Sequence, residues 1–158
     1  MAGRGTPATA LLTKQKIDFT IHTYEVGEHT SGYGEAAAAA LGVEPERVFK
    51  TLVATVDGRL MVGVVPVSGT LDLKALAAAG GGKRAIMAEP AAAERATGYV
   101  TGGISPFGQR SRLPTVVDES ASRWPSVYVS GGRRGMQVEV APEDLVRATG
   151  ATLARIAA

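Results

Sequence analysis

Residues 49–65 read FKTLVATVDGRLMVGVV, two runs rich in valine, leucine and threonine that flank Asp57 and Gly58. An Asp-Gly pair between such runs is a strong signal for a type I′ hairpin, because both central turn positions need a positive φ. We therefore predict strands over 49–56 and 60–65 with a tight turn between them. This hairpin is the centre of the predicted fold.

Further elements are predicted on both sides of the hairpin from caps, prolines and alternation. Thr6 before Pro7 begins a first helix, and the alternation over 17–24 predicts a strand before a loop over 25–33. Helices are also predicted over 34–41, 72–79, 90–98 and 142–150, and strands over 84–88, 113–117, 126–129, 136–140 and 152–156. Strands outnumber helices without alternating regularly with them, which favours an α+β fold with a mixed sheet. With no linker or internal repeat, the 158 residues predict a single domain over 1–158.

The composition excludes several classes of function. Seventeen basic residues against 15 acidic ones give a net charge of +2, which excludes a polybasic nucleic-acid coat but permits a local basic patch. The chain has no cysteine and two histidines, so we expect no disulfide, no thiol nucleophile, no metal centre and no cofactor. No run approaches the ~18 apolar residues of a membrane span, and we see no secretory signal. We therefore expect a cytoplasmic protein that does not contact membranes.

Lys50 is the first candidate for chemistry. On strand alternation it shares a face with Leu52, Ala54 and Val56, so its ammonium needs an anion or access to water. One interpretation is an anion-binding lysine. The other is a lysine whose stem packs at the strand end while its charge stays solvated, which is the commoner case.

Two glycine-rich segments could approach a ligand closely. Residues 101–108 read TGGISPFG, and exposed amides there could hold a phosphate or a carbonyl oxygen. This is neither a phosphate-binding P-loop nor a dinucleotide fingerprint, and a plain turn is equally compatible with it. Residues 130–135 read SGGRRG and are predicted as a hairpin loop whose Arg133 and Arg134 could bind phosphate.

His22 and Tyr24 end the first predicted strand and could line a pocket. A single histidine without an evident acidic partner is weak support for a general base, and such residues are more often structural. Ser105 and Ser130 have no G-x-S-x-G context, so we reject a serine hydrolase.

Taken together, these segments resemble the YbaK/EbsC family of free-standing aminoacyl-tRNA deacylases, which is related to the editing domain of bacterial prolyl-tRNA synthetases. The resemblance runs in order over nearly the whole chain. Its greatest weight lies in KTL at 50–52 together with the loop 102–109. The matching stretches are TPA at 6–8, IHTY at 21–24, VFKTL at 48–52, PVSG at 66–69, LDLK at 71–74, TGYV at 97–100, GGISPFGQ at 102–109, RLPT at 112–115 and YVSGG at 128–132.

The resemblance implies a mainly antiparallel, partly barrel-like mixed sheet with flanking helices. It also implies trans-editing of mischarged Cys-tRNA(Pro), in which the substrate's own thiol attacks the ester. Lys50 matches the essential lysine of the family, while Gln137 stands where some relatives carry an acidic residue. The substrate-binding positions implied are Tyr24, Thr51, Gly102, Gly103, Ile104, Ser105, Pro106, Ser130, Gly131 and Gly132.

The implied partner is the acceptor end of mischarged tRNA(Pro), which prolyl-tRNA synthetase could present. Three alternatives stay open at this point. One is a deacylase for another mischarged tRNA, such as Ala-tRNA(Pro), with water as the attacking group. The others are a non-catalytic tRNA-binding module and a binder of small phosphate compounds.

Overall fold

The computed structural model describes residues 5–26 and 32–158. Part of the predicted loop over 25–33, namely 27–31, lies outside the described residues. Within these ranges the chain forms five α-helices and eight strands. The helices are α1 (Pro7–Lys14), α2 (Tyr33–Leu41), α3 (Leu73–Ala79), α4 (Pro90–Thr97) and α5 (Pro142–Thr149). The strands are β1 (Phe19–Thr23), β2 (Phe49–Val56), β3 (Arg59–Pro66), β4 (Ala85–Met87), β5 (Thr115–Asp118), β6 (Val127–Ser130), β7 (Met136–Val140) and β8 (Thr152–Ala154). Short 3₁₀ turns occupy Pro45–Arg47 and Glu119–Arg123.

The strands form two sheets. One has the order β1-β7-β6 and is antiparallel, and the other has the order β4-β2-β3-β5-β8 with parallel pairing of β3 with β5 and of β5 with β8. A single parallel bridge between Val48 and Tyr128 joins them. The α+β class with a mixed, mainly antiparallel sheet is confirmed. No closed barrel forms among the described strands.

The predicted hairpin is confirmed. Asp57 and Gly58 have φ values of 49° and 83°, the double positive φ of a type I′ turn. Val56 pairs with Arg59, and the register carries Lys50 opposite Val65 near the far end of the hairpin. The turn chemistry therefore fixes where Lys50 lies along the sheet.

The main core lies between the two sheets. Val53, Val62 and Val64 of the larger sheet and Val129 and Val138 of the smaller one are all at most 4% exposed. Burying each such side chain contributes on the order of 1.5–3 kcal/mol relative to leaving it exposed. These contacts fix the two sheets against each other and leave a gap at one end of β2.

Helix termini follow the predicted caps. Thr6 forms a capping box with Thr9 before Pro7, and Gly42, Gly98 and Gly150 end α2, α4 and α5 in the left-handed conformation. None of the helices in the described part of the chain is long and apolar enough to cross a membrane.

Helix α2 packs on the face of the smaller sheet that points away from the main core. Its Ala37 and Ala38 contact a cluster containing Val48 and Tyr128. A Cβ at Gly34 would collide with Val67, so the glycine permits this close approach. The packing brings the N-terminus of α2 beside the end of β2.

Candidate active site

A cavity of about 370 Å³ opens where the two sheets diverge. Its walls come from β2, the first turn of α2, the β4–α4 connection, the loop over residues 101–108 (the glycine loop), the end of β6 and the start of β7. The lining residues are Gly32, Tyr33, Gly34, Glu35, Val48, Phe49, Lys50, Thr51, Leu52, Val53, Met87, Ala88, Pro90, Ala93, Thr101, Gly102, Ile104, Ser130 and Gln137. The cavity therefore collects parts of the chain that are far apart in sequence.

Lys50 and Thr51 both line this cavity from the first half of β2. Lys50 is half-buried, and the face it shares continues into Leu52 and Ala54, which belong to a second core cluster. Among residues 5–26 and 32–158, the ion pairs do not include Lys50. A cation in this position can bind an anionic group that enters the cavity.

The glycine loop presents only part of its backbone to the cavity. Gly102 and Ile104 line it, and in the described ranges neither amide has a hydrogen-bond acceptor. The Gly103 amide donates to the carbonyl of Val100 at 2.9 Å. Of these three amides, those of Gly102 and Ile104 therefore remain available as donors.

Ser105 and Pro106 lie behind the cavity wall. Ser105 is fully buried, and its hydroxyl accepts from the Phe107 amide at 3.2 Å. The Tyr99 hydroxyl donates to the Phe107 carbonyl at 2.6 Å, and burial raises the pKa of Tyr99 to about 12. Ser105 and Pro106 are therefore outside the cavity lining, where they shape the loop.

The loop between β6 and β7 also divides into two parts. Ser130 lines the cavity, and its hydroxyl accepts from the Gly132 amide at 3.1 Å. Gly131 and Gly132 instead pack on the start of α1, where the Thr6 hydroxyl donates to the Gly131 carbonyl at 2.6 Å. A Cβ on Gly132 would lie 3.0 Å from atoms of Thr6 and Tyr99. Neither glycine is among the lining residues.

Arg134 supports the cavity wall. Its Nε donates to the Thr101 carbonyl at 2.8 Å, and its guanidinium lies 4.8 Å from the centre of the Tyr33 ring. Gly102 has a φ of 89°, and a Cβ there would lie 2.7 Å from the Tyr33 ring and 2.9 Å from Arg134 Nε. The arginine predicted as a phosphate ligand thus also holds the glycine loop against α2.

Tyr24 reaches the cavity only through Gln137, a residue that sequence reasoning left without a role. Gln137 Nε2 donates to the Tyr24 hydroxyl at 3.2 Å, and burial raises the pKa of Tyr24. Tyr24 is not among the lining residues, whereas Gln137 is. β1 and β7 pair antiparallel with His22 opposite Gln137, which brings Tyr24, two residues after His22, close to Gln137. No local pattern in the sequence indicates this contact.

His22 has the acidic partner that was not evident from the sequence. Its Nε2 lies 3.0 Å from Glu139 Oε1, because β1 and β7 pair antiparallel. A hydrogen bond from Ser126 is the main cause that lowers the pKa of Glu139, and the His22 contact adds to it. Neither His22 nor Glu139 lines the cavity. The pair is therefore outside the candidate site.

The arrangement defines a class of site. Half-buried Lys50 and the glycine loop, with two amides that lack an acceptor among the described residues, line the same mostly apolar cavity, which suits a ligand with an anionic end and a carbonyl. No cluster of potential metal ligands occurs in the ranges 5–26 and 32–158.

Residues 28–148 match the family model of the aminoacyl-tRNA editing domain, and the chain belongs to that family of enzymes acting on aminoacyl-tRNA.

Two curated proteins show the same relationship. EbsC of Enterococcus faecalis, named as a candidate Cys-tRNA(Pro)/Cys-tRNA(Cys) deacylase, is 38% identical over 154 residues, covering 96% of this chain and 92% of that protein. ProXp-y of Escherichia coli, named as a multifunctional Ser/Thr-tRNA deacylase, is 33% identical over 113 residues, covering 69% of this chain and 65% of that protein. The resemblance to YbaK/EbsC-type deacylases is confirmed.

Solved structures share the fold. The hypothetical protein APE2540 superposes with a TM-score of 0.85 at 25% identity, covering 97% of this chain and all of that one. A candidate trans-editing enzyme for prolyl-tRNA synthetase gives a TM-score of 0.83 at 24% identity, covering 96% of this chain and 95% of that one. The α+β arrangement described above is thus shared with both solved structures.

Proposed function

We propose that this protein is a trans-editing deacylase that removes cysteine from mischarged tRNA(Pro). The observation that carries the proposal is the 38% identity to EbsC over 96% of the chain. The cavity supports it, since it offers a cation, two amide donors and room for a small aminoacyl group.

The difficulty of distinguishing cysteine from proline in a prolyl site explains why such an enzyme exists. A binding pocket separates amino acids that differ by one methylene by only about 1–3 kcal/mol, so a small residue such as cysteine enters a prolyl site. The editing protein needs a feature other than size to distinguish the two. The cysteine thiol is the chemical group that proline lacks.

Lys50 binds a phosphate of the terminal adenosine in this proposal. Lys50 is half-buried among the cavity-lining residues and takes part in no ion pair among the described residues, which supports this role. A charge-assisted hydrogen bond to phosphate contributes about 1.5–3 kcal/mol. This contact positions the 3′ end of the tRNA so that the aminoacyl ester reaches the glycine loop.

The amides of Gly102 and Ile104 stabilise the developing oxyanion. Both residues line the cavity and both amides lack an acceptor among the described residues. Preorganised amide donors of this kind act where negative charge develops on the carbonyl oxygen. Gly103 contributes by holding the loop through its bond to Val100.

The nucleophile is the substrate's own thiol. Its sulfur attacks the ester carbonyl carbon, the ester C–O bond breaks, and the thiol proton ends on the departing ribose oxygen. The products are free tRNA and a four-membered cyclic thioester, which water then opens. Correct positioning of intramolecular groups can contribute about 7–11 kcal/mol. This route requires no protein nucleophile, in keeping with a chain that has no cysteine and with a cavity lining that holds no histidine in the described ranges.

A second candidate is a water-dependent deacylase for another aminoacyl group. The 33% identity to a protein named as a Ser/Thr-tRNA deacylase favours it. Ala-tRNA(Pro) belongs to the same alternative, because alanine also lacks a thiol. In either case prolyl-tRNA synthetase is the proposed partner that presents the tRNA, since a net charge of +2 gives little electrostatic attraction.

The test measures release of the amino acid from Cys-, Ser- and Ala-tRNA(Pro) by purified protein. We expect rapid turnover of the cysteinyl ester alone, since replacing sulfur with oxygen disables only the thiol-dependent route. Turnover of the seryl ester at a similar rate supports the water-dependent candidate. Salt-sensitive tRNA binding without ester cleavage would indicate a binding module.

A further inference from the structure

Residues 100–103 form a tight turn that leads into the glycine loop. The Gly103 amide donates to the Val100 carbonyl at 2.9 Å, and Gly102, at the third position of the turn, has a φ of 89°. Thr101, at the second position, is not among the described non-glycine residues with a positive φ. This combination defines a type II turn, in which only the third position needs a positive φ.

The central peptide group of this turn contains the Thr101 carbonyl and the Gly102 amide. Because a trans peptide is planar, its C=O and its N–H point in opposite directions. A type I turn differs from a type II turn mainly by a rotation of roughly 180° of this one group. Glycine at the third position accepts both forms. The orientation of the central peptide therefore decides on which side of the loop the Gly102 amide is presented.

Arg134 holds the carbonyl side of this peptide group. Its Nε donates to the Thr101 carbonyl at 2.8 Å, a hydrogen bond strengthened by the positive charge. The guanidinium also lies 4.8 Å from the centre of the Tyr33 ring, so α2 helps to orient it. The Gly102 amide consequently points away from Arg134, which is not among the residues that line the cavity. The amide is thus presented on the side of the loop opposite the arginine.

Glu94 of α4 holds the preceding peptide group. Its Oε2 accepts from the Thr101 amide at 2.9 Å and from the Thr101 hydroxyl at 3.1 Å. Thr101 is therefore bound at its amide by a carboxylate and at its carbonyl by a guanidinium. The two charged side chains come from different segments of the chain, and together they fix both peptide groups that flank Thr101.

We propose that Arg134 is a positioning residue that aims the Gly102 amide at the developing oxyanion of the ester, an inference that rests on the proposed function. The guanidinium keeps the central peptide in its type II orientation. Its charge also polarises the peptide group, which makes the Gly102 N–H a stronger donor. Arg134 acts on the reaction through the backbone and touches no substrate atom in this role.

A direct phosphate contact is the other role open to Arg134, and the two roles differ in their kinetics. Loss of a phosphate contact weakens tRNA binding, so it raises KM and reduces the salt dependence of binding. Loss of a positioned amide removes an interaction made in the transition state, so it lowers kcat. The adjacent Arg133 is also exposed and carries the same charge, so it provides a matched comparison.

The experiment measures kcat, KM and their salt dependence for Cys-tRNA(Pro) with wild-type protein, Arg134→Met and Arg133→Met. Both substitutions remove one positive charge from the same loop, so any general attraction for tRNA falls equally. We expect Arg134→Met to lower kcat roughly 10- to 100-fold, with KM and salt dependence altered no more than in Arg133→Met. Arg133→Met should keep the wild-type kcat. Thermal melting verifies that each variant is folded.

The turn can also be observed without substrate. In isotopically labelled protein, the NMR signals of the Thr101 carbonyl carbon and the Gly102 amide report on the central peptide. Both signals should move in Arg134→Met, because the carbonyl loses its charged donor and the peptide is free to rotate. They should stay in place in Arg133→Met. Unchanged signals in Arg134→Met would show that the arginine does not set the turn, which overturns the inference.

The remaining outcomes separate the inference from the proposed function. If Arg134→Met raises KM and reduces the salt dependence while kcat is unchanged, Arg134 is a phosphate ligand and the positioning role is refuted. Equal loss of kcat in both arginine variants also refutes it. In both cases the deacylase proposal stands. If wild-type protein releases no amino acid from Cys-, Ser- or Ala-tRNA(Pro), both proposals fail.

Discussion

Replacing Lys50 with methionine tests the centre of the proposed mechanism. Methionine keeps most of the apolar stem that packs on the face shared with Leu52, and it removes only the ammonium. Lys50 forms no ion pair with any other described residue, so folding loses no counter-ion contact. We expect the melting temperature to stay within about 2 °C of wild type, which is less than 1 kcal/mol for a chain of this size.

The catalytic effect should be much larger than the effect on stability. Loss of one charge-assisted hydrogen bond to phosphate removes about 1.5–3 kcal/mol, which is roughly 10- to 150-fold in kcat/KM. Misplacement of the 3′ end by about 1 Å can cost a further factor of roughly 100. The two factors multiply to between roughly 10³- and 10⁴-fold, so the variant should be nearly inactive.

The assay follows release of cysteine from Cys-tRNA(Pro) under single-turnover conditions. Lys74→Met, which changes an exposed lysine on α3 outside the cavity, is the matched control and should keep the wild-type rate. A folded Lys50→Met protein that retains more than about a tenth of wild-type kcat/KM would refute the role of the ammonium. A drop in both lysine variants would instead point to general electrostatic capture of tRNA.

Three further changes probe the cavity wall and the core. Gly102→Ala should lower kcat/KM at least ~10-fold, because its φ of 89° and its packing against an aromatic ring leave no room for a Cβ. Tyr99→Phe should lower the free energy of unfolding by about 1–3 kcal/mol, because the buried Phe107 carbonyl loses its donor. Asp118→Asn should destabilise the fold at pH 7 by about 2–3 kcal/mol, since the carboxylate accepts four hydrogen bonds. Denaturant titration measures the free energy of unfolding in each case.

Gly102→Ala has a matched control, and Tyr99→Phe has a result that would contradict its reasoning. Gly81→Ala shares a positive φ of 75° but has open space around the Cβ, so it should cost stability without affecting deacylation. Equal loss of activity in both glycine variants would contradict a specific role for Gly102. For Tyr99→Phe, an unchanged unfolding free energy would show that the Phe107 carbonyl finds another donor.

The Asp118 prediction also has a pH dependence with a definite sign. Burial raises the pKa of Asp118, but the hydrogen bonds led by Ser120 outweigh it and leave the pKa below its usual value. Because the folded-state pKa is lowered, this stabilisation is present above the unfolded pKa of about 3.9 and is lost as pH falls through the folded value. The difference in unfolding free energy between wild type and Asp118→Asn should therefore shrink at pH 3. A constant difference from pH 7 to pH 3 would contradict it.

Local chemistry made much of the fold predictable. Asp57 and Gly58 define the hairpin, Thr6 begins α1, and Gly98 and Gly150 end two helices where the sequence predicts. Each of these signals depends on the φ angle or the capping group of one or two adjacent residues. The same signals placed Lys50 on β2 and identified the glycine loop as a candidate site.

The parts that could not be predicted depend on pairing between distant segments. The loop around Gly103 packs against the backbone of Arg133, some 30 residues further along the chain. Gly131 and Gly132 likewise pack beside Thr6 at the start of α1 and are not among the residues that line the cavity. Spacing in the sequence carries no information on these contacts.

The position of Gln137 shows how the core determines the site. Val138 and Val140 alternate with Gln137 and Glu139 along β7, and the valines face the main core. A shift of one residue in the pairing with β1 would turn both valines away from the core and bury Gln137 and Glu139 in it. Losing two buried valines would cost on the order of 3–6 kcal/mol, before the penalty of an unpaired carboxylate. The hydrophobic alternation that stabilises the sheet therefore also places Gln137, a residue that lines the cavity, on the face opposite the valines, and a substitution that weakens the β1–β7 register should impair the site before it unfolds the protein.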